Sequence, residues 1–392
     1  MENLVSNPIK GRIQSIDILR GIIMVIMALD HSRDFFSNLH ADPLDFNHAS
    51  AFYFFTRWIT HYCAPVFIFL SGTSAFLSMS RGKTKKQASW MLFTRGLMLV
   101  VLELTIVRLG WTFNFDYSTI FLQVIWALGI SMIVLSVLIF LPIPAIISFG
   151  LLVVLGHDAF DSIHSDSFAN PVIWDLLHQQ GSAPLFSNSI RLMVLYPVIP
   201  WIGVMALGYC LGPVFKMPEK SRNNRLLQVG ISSILLFIII RGINIYGDPR
   251  PWQVQDSGFH TFLDFIKCQK YPPSLCYLLM TLGPAITVLP LLEKARGGLA
   301  AFFTVYGRVP LFYYVLHIFL IHGTALLLAV VNGYPADLFT KNGAMFNPNA
   351  TWGFSLGWVY LLWILVVLIL YYPSRWYMNI KMKHKKWWLS YL

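Results

Sequence analysis

The stretch "LRGIIMVIMALDHSRDFF", residues 19–36, places Arg20 near one end of an apolar run and Asp30, His31, Arg33 and Asp34 at the other. A charged side chain at mid-bilayer costs at least about 2.5–3.5 kcal/mol, so an ionisable group inside such a run is a functional candidate by default. Arg20 and His31 are eleven residues apart, about three helical turns plus 20°, so a helix puts them on one face some 16 Å apart. Asp17 and Asp34 fall near the same face. A fixed cation at one end and a titratable base at the other suit an anionic substrate that threads the membrane. Snorkelling accounts for Arg20 and Asp17 as interfacial anchors equally well, but not for an imidazole at His31.

Other candidates follow along the chain. In "FFTRWITHYCAPVF", Arg57 and His61 stand at i, i+4 on one helical face, with Pro65 one turn on. "NLHADPLDFNHAS" adds His40 and His48 in a loop, where a histidine is ordinarily just solvated. Glu103 lies among apolar residues and needs a proton or a cation, with Arg95, Arg108 or Arg20 as conceivable partners. "VYGRVPLFYYVLHIFLIHGTA" carries Arg308, Tyr313, Tyr314, His317 and His322. His317 with Tyr314 could line the same cavity as His31 or be packed as a hydrogen-bonded core residue, and Gly307 with Pro310 can break the helix there. "HDAFD", His157 to Asp161, matches a brief HxxxD acyltransferase pattern and carries little weight. No phosphate-binding glycine loop, nucleophile elbow or metal-ligand spacing stands out, and no metal is expected.

The elements that must position these groups are membrane helices. Of 392 residues, 56% are hydrophobic and only 12% charged, with mean hydropathy +0.61; a soluble chain carries about a quarter charged residues. Apolar runs long enough for a hydrocarbon core of about 30 Å recur throughout. Ten spans are expected, at roughly 15–38, 52–79, 89–111, 118–140, 142–156, 191–215, 226–246, 271–292, 306–331 and 352–374. Pro142 and Pro144 divide the fourth from the fifth. The reading is an all-α polytopic membrane bundle forming a single domain over 1–392.

Net charge +11 does not point to nucleic acid, because Lys and Arg gather in short loops between spans. Lys10, Arg12, Arg81, Lys83, Lys85, Lys86, Lys216, Lys220, Arg222, Arg225, Lys294, Arg296 and the basic C-terminal segment from Arg375 to Lys386 occupy the proposed inner side. The proposed outer loops hold Arg250, Lys267, Lys270 and Lys341, and segment 157–190 has four aspartates and no Lys or Arg. Both termini are therefore expected in the cytoplasm. No cleavable secretory signal is expected. The four cysteines form no ligand pattern and no disulfide framework is expected.

The R-x10-H pair in a first span resembles the signature of the transmembrane acyltransferase superfamily that includes the acyltransferase-3 proteins. "RIQSIDILRGIIMVIMALDH" followed by "APVFIFLSGTSAFLSMSRG", with "YPPSLCYLLMTLGP" and "GRVPLFYYVLHIFLIH" later, looks like the bacterial relatives of heparan-α-glucosaminide N-acetyltransferase. The resemblance implies an enzyme of the bacterial cytoplasmic membrane, among lipid, that passes an acetyl group from cytoplasmic acetyl-CoA to an extracytoplasmic acceptor, usually a sugar. Arg20 and Asp17 would then serve the CoA end, with His31 as general base. Asp30, Arg57, His317 and Tyr314 would line the acceptor side.

The heparan-type enzymes carry an essential histidine between the first two spans and an asparagine where this chain has His31. His48 in "NHAS" is the local counterpart, so His31, His48 and the nearby His61 are all candidate bases. A proton-coupled transporter of a polar solute is the alternative, since histidine clusters also relay protons.

Overall fold

The computed structural model describes residues 12–46, 48–185, 189–341, 351–384, 386 and 389. Lys10 and Lys385 of the expected inner-side charges lie outside the described residues. Helices dominate, as they must where lipid offers the backbone no hydrogen bonds. In chain order they are α1 Gln14–Phe36, α2 Ala51–Thr60, α3 Cys63–Met79, α4 Lys85–Leu102, a π-helical turn Glu103–Val107 and α5 Arg108–Thr112. Strand β1 Thr119–Leu122 precedes α6 Val124–Leu138, α7 Ile143–Gly156, a 3-10 turn His157–Phe160 and α8 Pro171–Leu177. Strands β2 Gly181–Leu185 and β3 Ile190–Val194 lead into α9 Ile199–Leu211. The remainder are α10 Glu219–Ile243, α11 Gly258–Ile266, α12 Leu275–Lys294, α13 Gly298–Arg308, α14 Pro310–Val331, α15 Asp337–Thr340 and α16 Leu356–Lys383.

Among the described residues, eight helical segments are long and apolar enough to cross a membrane. They correspond to all the expected spans but the first and fourth. The first, α1, is 23 residues long but carries Asp17, Arg20, Asp30, Arg33 and Asp34. The fourth, α6, has only 15 residues, because the start of the expected span is β1. The expected sixth span likewise opens as β3 before α9 begins. These strands form a small sheet in the order β1-β3-β2, with β2 and β3 antiparallel and Gly181 opposite Val194. The expected ninth span is two helices, broken at Val309 between Arg308 and Pro310. Pro142 ends the α6–α7 connection as its fixed φ requires.

The chain divides into two compact units. The first comprises Met1–Ser15, Ala64–Glu103 and Ile120–Lys294; the second comprises Ile16–Cys63, Leu104–Thr119 and Ala295–Leu392. In the first, α4 packs on α6, α7 on α9 and α10 on α12. The α4–α6 crossing is a glycine contact: a Cβ on Gly96 would lie 2.5 Å from the Gly129 carbonyl oxygen, the close approach small residues allow in membrane helices. Glu103 belongs to this unit, and its carboxylate accepts a hydrogen bond from the backbone N–H of Trp126 at 2.9 Å, in the first turn of α6. A helix N-terminus, with its orphan N–H groups and partial positive charge, therefore takes the place of the arginine expected as its partner. In the second unit, α13 and α14 pack against α16, and α5 against α14. All four cysteines are free thiols.

Candidate active site

The candidate site lies in the second unit and is built along α1. Nine of the ten residues from Ile16 to Val25 are buried, so this helix presents little of its surface outward. At its N-terminal end it crosses α13 with almost no separation. A Cβ added to Gly307 would fall 1.8 Å from the Asp17 carbonyl oxygen, and one added to Gly21 would fall 1.8 Å from that of Phe303. The approach delivers the Arg20 guanidinium to the Gly307 carbonyl at 3.1 Å, with Asp17 3.6 Å away. Asp17 also pairs with Arg308 at 3.3 Å. Arg20 and Asp17 thus share a buried polar node that ties α1 to the end of α13.

Three turns further on, His31 Nδ1 lies 2.7 Å from His317 Nε2 of α14, with the two rings within 3° of parallel. His317 Nδ1 is in turn 3.0 Å from the Tyr313 carbonyl oxygen. A carbonyl can only accept, so His317 Nδ1 carries a proton. With both rings neutral, its Nε2 then holds a lone pair and accepts from His31 Nδ1–H. That leaves the lone pair of His31 on Nε2, the tautomer a general base needs. Trp111 stands edge-on to His31 at 4.9 Å between ring centroids and Tyr314 at 6.1 Å, while Tyr313 stacks on His317. His317 is wholly buried and His31 is 9% exposed.

Asp30, beside His31, is held by three donors. Arg57 reaches it at 2.9 and 3.0 Å, Arg33 at 2.5 Å and the Thr60 hydroxyl at 2.8 Å. Arg33 also binds Asp34 at 2.7 Å. The cluster joins the end of α1 to the end of α2. The same end of α1 is closed by Trp352, whose indole donates to the Phe35 carbonyl at 3.0 Å, and by Phe354, whose N–H donates to that of Phe36 at 2.7 Å.

Of the residues singled out from sequence, His31, His317 and Tyr314 come together, as do Asp30 with Arg57 and Arg20 with Asp17. His61 is buried in the turn between α2 and α3. His48 is a surface residue with its side chain 66% exposed, paired with Asp45 at 2.7 Å. His40 bonds the Trp352 carbonyl at 2.8 Å. His322 sits between two carbonyls, Gly110 at 2.8 Å and Phe339 at 3.1 Å, and stacks on Phe113: a histidine of the packed interior. Arg108 does not meet Glu103; it binds the Asn114 and Asp116 carbonyls and covers the Tyr117 ring at 4.0 Å. Trp111, Thr60 and the Tyr313 carbonyl were not singled out from sequence. A tryptophan in an apolar helix or a backbone oxygen gives no signal until the helices are packed. Thr60 is three residues from Arg57, a turn spacing from which it was legible in principle.

A sequence model of heparan-α-glucosaminide N-acetyltransferase, catalytic, matches residues 12–246. A comparison with curated proteins finds no match. The matched region contains α1 with Arg20, Asp30 and His31, and α2 with Arg57 and His61; His317 and Tyr314 lie beyond it.

Proposed function

From the premise that the chain belongs to the heparan-α-glucosaminide N-acetyltransferase family, whose members are transmembrane acetyltransferases, we propose that it moves an acetyl group from cytoplasmic acetyl-CoA to a sugar hydroxyl or amine across a bacterial cytoplasmic membrane. Residues 1–392 act as one catalytic domain with about ten spans and both termini in the cytoplasm. The basic loops support this orientation. Among its partners the protein counts the acyl-CoA donor, a glycan acceptor and the surrounding lipid.

The observation that carries the reading is the hydrogen-bonded chain from the Tyr313 carbonyl through His317 to His31. In the reaction, His31 Nε2 takes the proton from the acceptor oxygen or nitrogen as that atom attacks the thioester carbonyl. A new C–O or C–N bond forms and the carbon–sulfur bond breaks. The proton held by His31 passes to the departing CoA thiolate, so the base is regenerated with each turnover. His317 keeps the tautomer fixed throughout. Asp30, with its two guanidinium partners, anchors the end of α1 that carries His31. Arg20, about 16 Å along the helix, supplies a cation for the phosphates at the other end of CoA. That spacing matches the reach of a pantetheine arm.

The test is transfer of labelled acetyl from acetyl-CoA by purified protein in lipid vesicles, against a panel of amino sugars and glycans. The reading requires labelled product and saturable acetyl-CoA binding that weakens in Arg20→Ala. A protein that binds no acetyl-CoA and instead carries solute with protons would be the transporter considered from sequence.

A further inference from the structure

A second group of titratable side chains lies in the first unit, and the reaction above makes no use of it. The 3-10 turn His157–Phe160 extends α7 and sets His157 and Asp161 four residues apart, while α8 ends at His178. His178 Nε2 is 3.1 Å from Asp161 Oδ1. One ligand atom from each of His157, Asp161 and His178 lies within 4.8 Å of the other two. Both histidines are 2% exposed. Among the described residues, neither ring nitrogen of His157 has a hydrogen-bond partner, nor does Nδ1 of His178. A polar group buried without a partner costs about 1–3 kcal/mol, and here two imidazoles beside a carboxylate bear that cost together.

We infer that His157, Asp161 and His178 form a binding site for a borderline divalent cation of the Zn2+ class. Two imidazole nitrogens and one carboxylate oxygen are the donor set that such ions prefer, with water completing a tetrahedron. The 3.1 Å between His178 Nε2 and Asp161 Oδ1 is a separation two ligands of one ion take up. Asp158 supplies the next layer. Its Oδ1 is 3.0 Å from His157 Nδ1 and has no hydrogen-bond partner among the described residues, while its Oδ2 accepts from the Leu275 N–H at 3.0 Å. His157 Nδ1 lies on the Asp158 side, which leaves Nε2 for the ion; a small turn of the ring lets Nδ1–H donate to Asp158, the carboxylate–histidine–metal arrangement that fixes a ligand's tautomer. Trp174 and Phe160 lie against the His178 ring at 5.2 and 6.3 Å between centroids and wall the site. The bound ion ties the end of α7 to the end of α8 and, through Asp158, to the start of α12. Its role is to hold this connection, and it stands independently of the acetyl-transfer reading.

The experiment uses the full-length protein without a polyhistidine tag, stripped with chelator and reloaded with Zn2+, with metal content measured by elemental mass spectrometry. One Zn2+ per chain is expected, with a higher thermal midpoint than the stripped protein. His178→Gln and Asp161→Asn each weaken binding by at least about 100-fold, more than loss of an outer-layer partner does, while His48→Gln binds as the unaltered protein does. Loading with Co2+ tests the site without any variant, through visible ligand-field bands that Zn2+ removes. A monodisperse, folded protein that takes up no stoichiometric zinc overturns the proposal. So do variants that retain full zinc, or a Co2+ spectrum identical to that of the hydrated ion.

Discussion

At His31 the tautomer is set from behind, by a carbonyl two hydrogen bonds away. Tyr313 oxygen fixes the His317 proton, and His317 fixes that of His31. His48 Nδ1 faces the Asp45 carboxylate at 2.7 Å, which sets the same tautomer, but its side chain is 66% exposed rather than held among packed helices. Asp30 plays the other part at this scale, since one carboxylate accepts from two guanidinium groups and a hydroxyl. Asp30→Ala leaves Arg33 and Arg57 without their shared anion in a buried site. Breaking such a cluster costs about 3–5 kcal/mol, and thermal unfolding followed by size exclusion should show a markedly lower midpoint than Thr60→Val, whose lost hydrogen bond is worth about 1 kcal/mol. The sequence already carried part of this site. Arg20 and His31 were legible because helical periodicity acts over eleven residues and charge in an apolar run is costly. The pairing of His31 with His317 was legible only as a shared cavity, because 286 residues of chain separate them and periodicity says nothing about which helices meet.

Among the elements, two junctions carry testable consequences, one in each compact unit. The first is the α1–α13 crossing, where the two backbones leave no room for a Cβ at Gly307 or Gly21. Gly307→Ala must push Asp17 backbone away, and neither partner is a flexible side-chain tip. Overpacking of this kind costs about 1–3 kcal/mol. The variant should lose thermal stability and bind acetyl-CoA more weakly, because Arg20 is held by the Gly307 carbonyl. The second is in the first unit, where the Glu103 carboxylate, at the head of the π-helical turn, meets the start of α6. Glu103→Ala removes that cap and should destabilise the protein by about 1–2 kcal/mol, with Glu103→Gln milder because its carbonyl still accepts. Thermal midpoints of the three proteins check the order. The break before α14 was legible in Gly307 and Pro310. The small sheet was not: "GSAPL" has no alternation of apolar and polar residues, and "IRLMV" reads as the start of the apolar run that becomes α9.

For the whole molecule, the apolar runs and the loop charges carried most of the information. Each expected span coincides with a helical segment of the structure, because a run of some twenty apolar residues has few other ways to satisfy its backbone in lipid. Boundaries shifted where strands or breaks replaced the ends of runs. The family match over residues 12–246 agrees with the motifs that carried the resemblance in the first two spans. The proposed orientation rests on the same charges. Cysteine-labelling tags in the loop around Pro218 should react only from the cytoplasmic face, and tags near Gln255 only from the opposite face. Labelling of both loops from one side would contradict the proposed topology.

The most direct test compares single-turnover acetyl transfer by the unaltered protein, His31→Ala and His48→Ala, each verified as folded by size exclusion. If His31 is the base positioned by His317, His31→Ala loses about 10²–10⁴-fold in the rate of the chemical step, while His48→Ala stays close to the unaltered protein. Transfer that survives in His31→Ala and fails in His48→Ala would contradict the account.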